Sequence, residues 1–343
     1  MASIKQHISK LNQNEWDYYS EVEYLKLKNP FTSKLSHKKF VEQYFKRSGK
    51  NEILNFLEFL PGKKLDNNRT KHTNSIFFLG ILLYKETNLN NPFFESLNSS
   101  EYRRFPFLWF LTCLFHDFGF TIENDVTAIE GINNLSNLKS KYSIENCLLA
   151  VSPINVNSTL FEVIESYFLY SLYERKVIDH GILAGLYFYD RLLKIRRNKI
   201  LNNEATRFWG EELEDQYAQV AAAIAIHNIW IPTKDNYETY RKYHLEKLID
   251  DYKPINFSDF PLLYILGVVD TIDPLKMYMR EGFRPNEILE SLDLTFYQDK
   301  ITFRNGKKSR LDFGKMIDSA YRLEGWLNVG VKDNKREVSL LLR

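Results

Sequence analysis

The sequence predicts a mainly α-helical protein that begins with a helical extension and ends in a small α+β module. Residues 65–290 carry apolar side chains at helical spacing, with few Gly or Pro residues inside the apolar runs. Only the last fifty or so residues alternate apolar and polar side chains as strands do. With 343 residues, 44% of them hydrophobic and 26% charged, the chain is long enough to bury a large core.

The first 64 residues are predicted to form short amphipathic helices that cap the rest of the chain. Residues 14–27 and 38–45 have apolar residues at helical spacing, and Asn29-Pro30 separates the two stretches. Pro61-Gly62 ends this segment, so the first domain is expected to span residues 1–64.

The middle of the chain, residues 65–290, is predicted to be one helical domain. Its expected helices are residues 70–86, 105–118, 160–175, 180–198, 213–230, 236–251 and 261–280. The stretch between Asp117 and His180 is long for a simple connection. It is expected to form either a lid that selects substrate or additional packing.

The C-terminal module is predicted to span residues 291–343. Its expected elements are a hairpin of residues 294–297 and 301–303, a helix of residues 312–327, and a second hairpin of residues 329–331 and 338–342.

Composition indicates the compartment more than the activity. The 46 basic and 44 acidic residues give a net charge of +2, which does not favour a protein coated in nucleic acid. Two Cys residues are too few for a disulfide framework. The first thirty residues lack an apolar signal core, and apolar runs such as residues 105–115 are too short for a bilayer span. We therefore expect a soluble, cytoplasmic protein with no membrane partner, and the oligomeric state stays open.

Four histidines and two aspartates lie in or at the ends of apolar stretches. They are His72, the adjacent pair His116 and Asp117, His180, His227 and Asp270. Imidazole and carboxylate groups are costly among apolar side chains unless they are paired or bound to a cation. Nitrogen and oxygen donors from several helices suit a divalent metal ion. The sequence therefore predicts a metal site.

Each residue also has a structural interpretation. His72 suits a core or cap histidine, and Asp270 suits an N-cap or a salt bridge near a helix end. Asp179 suits the N-cap of a helix that begins at an exposed His180. The small residues before His227 would let a neighbouring helix approach. We favour metal ligation because several residues that each weakly indicate a metal site support one another when they occur in one chain.

The other histidines are expected at the surface and not among the ligands. His7, His37 and His244 have polar neighbours in the sequence. Cys113, inside an apolar run, is expected to be a small core residue.

The order of these residues resembles that of the HD-domain superfamily of metal-dependent phosphohydrolases, over roughly residues 65–275. Three motifs carry the resemblance: Arg69-x-x-His72-Thr73, Phe115-His116-Asp117-Phe118-Gly119, and Asp179-His180-Gly181-x-x-Ala184-Gly185. The resemblance implies an HD-type helical bundle.

The resemblance also implies a ligand set for two divalent ions, with Mn, Fe or Zn expected and Mg as a further candidate. The first ion would be held by His72, His116, Asp117 and Asp270, and the second by His180 and His227, with Asp117 bridging. The implied activity is hydrolysis of a phosphoester or phosphoanhydride bond, in a nucleotide or nucleic acid, by metal-activated water.

Three residues have implied roles in that reaction. Asp117 would orient the water, Arg69 is a candidate to contact the phosphate, and Asp179 would orient His180.

The chain departs from the family at the residue after His-Asp-x-Gly. Many members have Lys there, whereas this chain has Phe120, so a phosphate-binding cation must come from elsewhere. Arg69 is the leading candidate, followed by Lys176 and Lys276, which also suit surface charges. No Gly-Tyr-Pro motif occurs, so the cyclic-di-GMP phosphodiesterase subgroup is not favoured. The deoxynucleotide triphosphohydrolases share the entry motif but usually have Gly-His where this chain has Gly119-Phe120.

Two other functions stay open. One is an HD-fold di-iron oxygenase that uses the same metal site, and the other is a non-catalytic helical scaffold or regulatory protein with a structural metal site. Glu123, Asn124 and Asp125 would either line the entrance to the site or form a solvated loop, and the solvated loop is favoured.

Overall fold

The structure is a computed structural model that describes most of the chain. The described residues are 2–18, 27–46, 52–58, 67–89, 91, 94, 104–123, 125, 127–148, 158–202, 212–229, 237–246, 254–306 and 309–343. The chain forms two compact units, the first comprising Met1–Cys113 and Asn256–Arg343 and the second comprising Leu114–Ile255.

The protein is mainly helical. In chain order the α-helices are α1 (Ile4–Lys10), α2 (Gln13–Trp16), α3 (His37–Lys46), α4 (Glu52–Glu58), α5 (Asn67–Glu86), α6 (Arg104–Phe115), α7 (Phe120–Glu123), α8 (Leu135–Lys141), α9 (Ser158–Tyr170), α10 (His180–Leu201), α11 (Glu212–Ile226), α12 (Tyr237–Lys242), α13 (Pro261–Thr271), α14 (Pro274–Tyr278), α15 (Pro285–Ser291) and α16 (Phe313–Tyr321). A π-helical turn, Ser171–Arg175, continues α9, and a 3-10 turn, Met279–Glu281, follows α14.

One antiparallel sheet of five strands lies in the first unit. The strands are β1 (Ala2–Ser3), β2 (Leu292–Phe296), β3 (Lys300–Asn305), β4 (Val329–Asp333) and β5 (Glu337–Leu342), in the order β1-β2-β3-β5-β4. Leu294 pairs with Phe303, which in turn pairs with Val338. These three buried side chains place one face of the sheet on the core.

The sequence therefore predicted the helical class and the C-terminal sheet correctly, but several element ends were wrong. The helix expected over residues 105–118 ends at Phe115, because the chain turns at the following His-Asp pair. The helix expected over residues 261–280 breaks at Asp273, which caps α14 ahead of Pro274.

Differences also occur near the chain ends. Residues 14–27 were expected to form a longer helix than α2, which stops at an extended Asp17. The strand β1 was not predicted, and the helix expected over residues 312–327 ends at Tyr321. The described residues do not include the boundary at Pro61-Gly62 or parts of the expected helices 14–27, 213–230 and 236–251. The three-domain division at residues 64 and 290 stays a prediction.

In the first unit, α5 packs against α13. These two helices carry His72 and Asp270. The packing around α5 is tight, because a Cβ on Gly80 would come 2.3 Å from the Trp109 ring. Cys113 is fully buried, as expected for a core residue.

In the second unit, α10 and α11 approach each other closely. A Cβ on Gly185 would come 2.5 Å from the carbonyl oxygen of Ala221, and one on Gly181 would come 2.8 Å from that of Ile224. Glycine at these positions therefore sets the spacing of the two helices. His180 begins α10 and His227 directly follows α11.

Across the part of the chain that the structure describes, no helix combines the length and the apolar character needed to cross a bilayer.

Candidate metal centre

The His116-Asp117 pair lies in a turn at the end of α6. His116 is fully buried, and Asp117 is half-buried. The turn is tight, since the amide of Phe118 donates to the carbonyl of Phe115 and the amide of Phe120 donates to that of Asp117. A side chain on the intervening glycine would collide with the backbone of His180, so glycine lets the turn approach the start of α10.

Asp117, His180 and His227 form a compact set of donors in the second unit. One ligand atom from each lies within 4.8 Å of the other two. His180 Nε2 is 3.4 Å from Asp117 Oδ1, and the rings of His180 and His227 have centroids 5.2 Å apart. On the other side of the carboxylate, His116 Nε2 is 3.5 Å from Asp117 Oδ2. The structure thus brings together four of the six predicted ligands in this unit.

The orientation of His227 is fixed by the backbone. Its Nδ1 lies 2.6 Å from the carbonyl oxygen of Ile224, to which it donates. In a neutral ring the unprotonated nitrogen is then Nε2, which has the lone pair that a metal ion requires. The ring is almost completely buried.

His180 is held between carboxylates. Its Nδ1 contacts Glu123 Oε2, while its Nε2 faces Asp117. Arg175 donates from Nη2 to Glu123 Oε1 at 2.7 Å and lies 3.4 Å from Asp179 Oδ2. Asp179 caps α10 by accepting from the amide of Ile182. The carboxylate on His180 Nδ1 is therefore that of Glu123, and Asp179 has the capping position.

These contacts shift several pKa values. Burial alone would lower the pKa of His180, but Asp117 and Glu123, together with Asp179, raise it to about 10. Burial acts against ionisation of Glu123, yet His180 and Arg175 lower the pKa of that carboxyl. Burial raises the pKa of Asp179. A cation at His180 would therefore take the place of a proton on its ring.

Two further polar residues complete the surroundings of His180. The side-chain amide of Asn228 lies 2.9 Å from His180 Nε2. Tyr167 donates from its hydroxyl to the backbone carbonyl of Asn228 at 3.0 Å, and it accepts from Arg175 at 3.2 Å. Hydrogen bonds thus connect the end of α11 to the π-helical turn.

The first unit contains a second histidine–carboxylate cluster. His72 Nδ1 lies 2.7 Å from Asp273 Oδ2, and His72 Nε2 lies 3.2 Å from Asp270 Oδ1. Asp273 also accepts from the Ser75 hydroxyl and from the backbone amides at the start of α14. Burial works against a charged ring, but the two aspartates raise the pKa of His72 to about 9.

The candidate phosphate-binding cations differ in their placement. Lys276 Nζ lies 2.7 and 2.8 Å from the two oxygens of Asp270, so it forms an ion pair with a predicted ligand. Arg69 is half-buried on α5, one turn before His72. Lys176 is the left-handed residue that ends the π-helical turn.

Sequence reasoning missed Asp273, Arg175 and Asn228 as neighbours of the site. Asp273 before a proline has the signature of an N-cap, which was the available signal. Arg175 lies four residues before Asp179, a spacing at which opposite charges meet. Glu123, expected in a solvated loop, instead contacts His180. Asn124 lies outside the described residues, and Asp125 is exposed.

The remaining histidines were expected at the surface, which is correct for His244 only. His7 is half-buried, and its Nε2 lies 2.8 Å from the carbonyl oxygen of Leu294. His37 is half-buried against Phe31 and Asn74. Burial, with the charge of Lys71, lowers the pKa of His37 to about 4.

The donor chemistry suits a divalent metal ion. Imidazole nitrogens and carboxylate oxygens that converge in a buried region are ligands that Mn²⁺, Fe²⁺ and Zn²⁺ accept. The groups Asp117, His180 and His227, and Glu123, Asp179 and His180, could each hold an ion. The histidine rings are oriented by a carbonyl or a carboxylate on the opposite nitrogen, as metal-binding histidines usually are.

Comparisons with models of known protein families, with curated proteins and with solved structures found no match to this chain.

Proposed function

We propose that this protein is a metal-dependent phosphohydrolase of the HD type, which cleaves a phosphoester or phosphoanhydride bond in a nucleotide or a nucleic acid. The observation that carries the proposal is the convergence of Asp117, His180 and His227 in the second unit, with ligand atoms within 4.8 Å of one another. These three residues come from separate stretches of sequence. Asp117 and His180 belong to motifs that resemble the HD superfamily, and His227 matches its order of ligands.

The side chains that would bind the ion are held in fixed orientations. His227 is oriented by the Ile224 carbonyl, and His180 by Glu123, so neither ring needs to reorganise for its Nε2 to act as a ligand. Asp117 lies between the imidazoles of His116 and His180, where each carboxylate oxygen faces a different ring. This placement supports the bridging role that the resemblance implies for Asp117.

His72 and Asp270 are the ligands proposed for the first unit. Asp273 supports this, because a buried carboxylate on Nδ1 orients the ring with Nε2 toward Asp270. Two bound divalent ions would supply Lewis-acid polarisation of a phosphoryl oxygen and a water acidic enough to ionise near neutral pH. Mn, Fe and Zn are the proposed metals, with Mg as a further candidate.

The proposal predicts bound metal and a phosphohydrolase activity that depends on Asp117. Gently purified protein should contain about two ions per chain by elemental analysis. The metal-loaded protein should hydrolyse at least one compound in a panel of linear nucleotides, cyclic nucleotides and simple phosphodiesters. Asp117→Asn preserves the shape of the side chain but removes its charge, so we expect activity to fall by more than about a hundredfold while the fold survives.

His244→Asn is the matched control for that substitution. His244 is exposed and has a left-handed backbone that Asn tolerates, so its activity should equal that of the wild type. Retained activity in Asp117→Asn would contradict the mechanism. Bound metal without hydrolysis of any compound would favour the scaffold function, and iron with oxygen consumption would favour an oxygenase.

A further inference from the structure

A cleft of about 1000 Å³ lies in the first unit and is separate from both histidine clusters. Residues of α3, α5, α15 and β2 line it, together with the apolar side chains of Pro30 and Phe31. No residue of the His72 or His180 cluster is among the described residues that line it. A concave site of this size can enclose a small organic molecule. Its titratable lining residues are His37, Lys71, Arg284, Glu287, Glu290 and Asp293.

His37, which lines the cleft, is held as a neutral hydrogen-bond donor. The fully buried Asn74 donates from its side-chain amide to the carbonyl oxygen of His37 at 3.2 Å, and the same nitrogen lies 3.1 Å from His37 Nδ1. Since a carbonyl oxygen only accepts, this contact fixes the orientation of the amide, and Nδ1 must accept as well. Burial, with the charge of Lys71, lowers the pKa of His37 to about 4, so at neutral pH the ring is uncharged and carries its proton on Nε2.

Lys71 adds a positive charge near this donor. Its charge acts on His37, and its side chain is half-buried. Among the described residues Lys71 has no carboxylate partner, and its one hydrogen bond, to Asn68 Oδ1, is 3.5 Å long. An ammonium group and an N–H donor that line the same cleft suit an anionic group such as a carboxylate, which accepts from both.

Acidic groups line the part of the cleft that α15 and β2 form. Glu290 is paired with Lys5, whereas Glu287 and Asp293 have no basic partner in the described part of the chain. Arg284, three residues before Glu287, has no carboxylate partner there either. The lining charges that lack an ion pair within the described residues are therefore two positive and two negative. A ligand of one sign would be repelled by half of them, whereas a ligand that carries both charges can pair with both kinds.

We infer that this cleft is a binding site for a small zwitterion, namely a short peptide with both ends free. The peptide carboxylate accepts from Lys71 and from His37 Nε2, and the peptide ammonium group donates to Asp293 and Glu287. A single amino acid would fill only a small part of the cleft, whereas a few residues reach across it and contact its apolar lining. The site is independent of the proposed phosphohydrolase activity, because it shares no residue with either histidine cluster.

The test compares three tripeptides that differ only in the charges at their ends. They are Gly-Leu-Gly with free ends, its N-acetyl form, which lacks the positive charge, and its C-terminal amide, which lacks the negative charge. Affinity is measured by NMR titration of the full chain as purified, from the change in amide signals with peptide concentration. The free tripeptide should bind about five- to tenfold more tightly than either capped form, because each free end forms charged hydrogen bonds.

Substitutions in the cleft should remove the two preferences separately. Lys71→Met should weaken the free tripeptide by about five- to tenfold and leave the amide form unchanged, because that form has no carboxylate to lose a partner. Asp293→Asn should weaken the free tripeptide and leave the N-acetyl form unchanged, because that form has no ammonium group. His37→Phe keeps a ring beside Phe31, where the centroids are now 4.7 Å apart, and should weaken both peptides that have a carboxylate by a few fold.

Lys39→Met and Asp299→Asn are the matched controls. Lys39 is exposed on α3 and Asp299 is exposed after β2, and neither lines the cleft, so neither substitution should change the affinity for any of the tripeptides. Urea denaturation checks that each variant is folded. A peptide amine can also bind a metal ion, so the titration is repeated with His180→Ala, which should bind the free tripeptide as the wild type does.

The outcomes do not depend on whether the protein hydrolyses phosphoesters. A preference for the free tripeptide that Lys71→Met and Asp293→Asn each reduce supports the inference. Equal affinity of the wild type for the three tripeptides, or no binding of any of them, overturns it. Binding that is lost in His180→Ala and unchanged in Lys71→Met would place the peptide at the proposed metal centre and overturn it as well.

Discussion

His72 and His180 have similar carboxylate neighbours, but the basic residue lies on opposite sides of the two rings. In each, the histidine Nδ1 contacts one carboxylate and Nε2 faces another. Near His72 the basic residue, Lys276, pairs with the carboxylate on the Nε2 side, Asp270. Near His180 the basic residue, Arg175, pairs with the carboxylate on the Nδ1 side.

The position of the basic residue affects how each cluster can bind a cation. Lys276 contacts both oxygens of Asp270, so a metal ion at His72 Nε2 competes with an ammonium group. Arg175 instead supports the residue that orients His180, and it lies on the opposite side of the ring from Asp117. We therefore expect the His180 cluster to bind its ion more readily than the His72 cluster.

The strongest test of this comparison removes each histidine. His180→Ala and His72→Ala should each lower activity by more than about a hundredfold and lower the metal content. His72→Ala should also reduce the free energy of unfolding by about 1–3 kcal/mol, because the fully buried Asp273 loses a partner. Elemental analysis, turnover and chemical denaturation measure the three quantities. Unchanged metal content in both variants would contradict the ligand assignment.

A smaller effect is expected from the carboxylates that orient the histidines. Glu123→Gln and Asp273→Asn should each lower metal affinity by about ten- to a hundredfold, as loss of an orienting carboxylate usually does. Asn still caps α14 at position 273 but removes the charge that pairs with His72, so the free energy of unfolding should fall by about 1–3 kcal/mol, and Asp273→Ala should cost about 1 kcal/mol more through loss of the cap. If Asp273→Asn left metal affinity unchanged, the orienting role of that residue would be wrong.

Removing the lysine that pairs with Asp270 should raise metal affinity instead of lowering it. Lys276→Met should raise the metal affinity of the His72 cluster by a few fold, because the ammonium group no longer pairs with Asp270. Lys315→Met is the matched control, since Lys315 forms a comparable ion pair with Glu281 in the same unit. A metal affinity that falls in Lys276→Met would show that the lysine supports the cluster instead of competing with it.

Asp190 serves as a reference for the two clusters, because it is a buried carboxylate that is not paired with a histidine. It accepts from the backbone amides of Glu145 and Asn146 and from Arg191. Burial would raise the pKa of Asp190, but hydrogen bonds from the amides of Asn146 and Glu145, from the Asn146 side chain and from Lys194 lower it. Its stabilising contribution is therefore present above about pH 4, the unfolded pKa, and is lost as the pH falls through the lower folded pKa.

Asp190→Asn should consequently be less stable than the wild type at neutral pH by about 1–2 kcal/mol. The difference should shrink as the pH falls from about 4 through the lower folded pKa, because the carboxyl is protonated first in the unfolded chain and then in the folded protein. Urea denaturation at several pH values measures it. A difference that is constant with pH would show that the charge of Asp190 does not contribute.

The sequence was sufficient for the helical class and for recognising that these histidines and aspartates lie among apolar residues, because apolar spacing and buried polar residues are local signals. It was insufficient where a contact joins distant residues. Glu123 contacts His180 across 57 positions, and Asp273 contacts His72 across 201. Neither pairing has a local pattern, so only the folded chain places the orienting carboxylates.

Helix ends were the other source of error. Asp273 had a readable capping signal, yet the apolar run around it suggested one continuous helix. Strand β1 has only two residues, Ala2 and Ser3, and pairs with β2 near the other end of the chain. Such a short strand has no periodicity to detect.

The close contact of α10 with α11 has a consequence for which ions the proposed centre accepts. A Cβ on Gly185 would collide with the carbonyl oxygen of Ala221, and this close approach sets the distance between α10, which begins at His180, and α11, which ends just before His227. If one ion is bound by both histidines, the spacing of the two helices would limit the ionic radius that fits between them. The preference for a small or a large ion would then depend on the backbone spacing of two helices, at positions several residues from any ligand. Substituting the ligands alone would not change that preference.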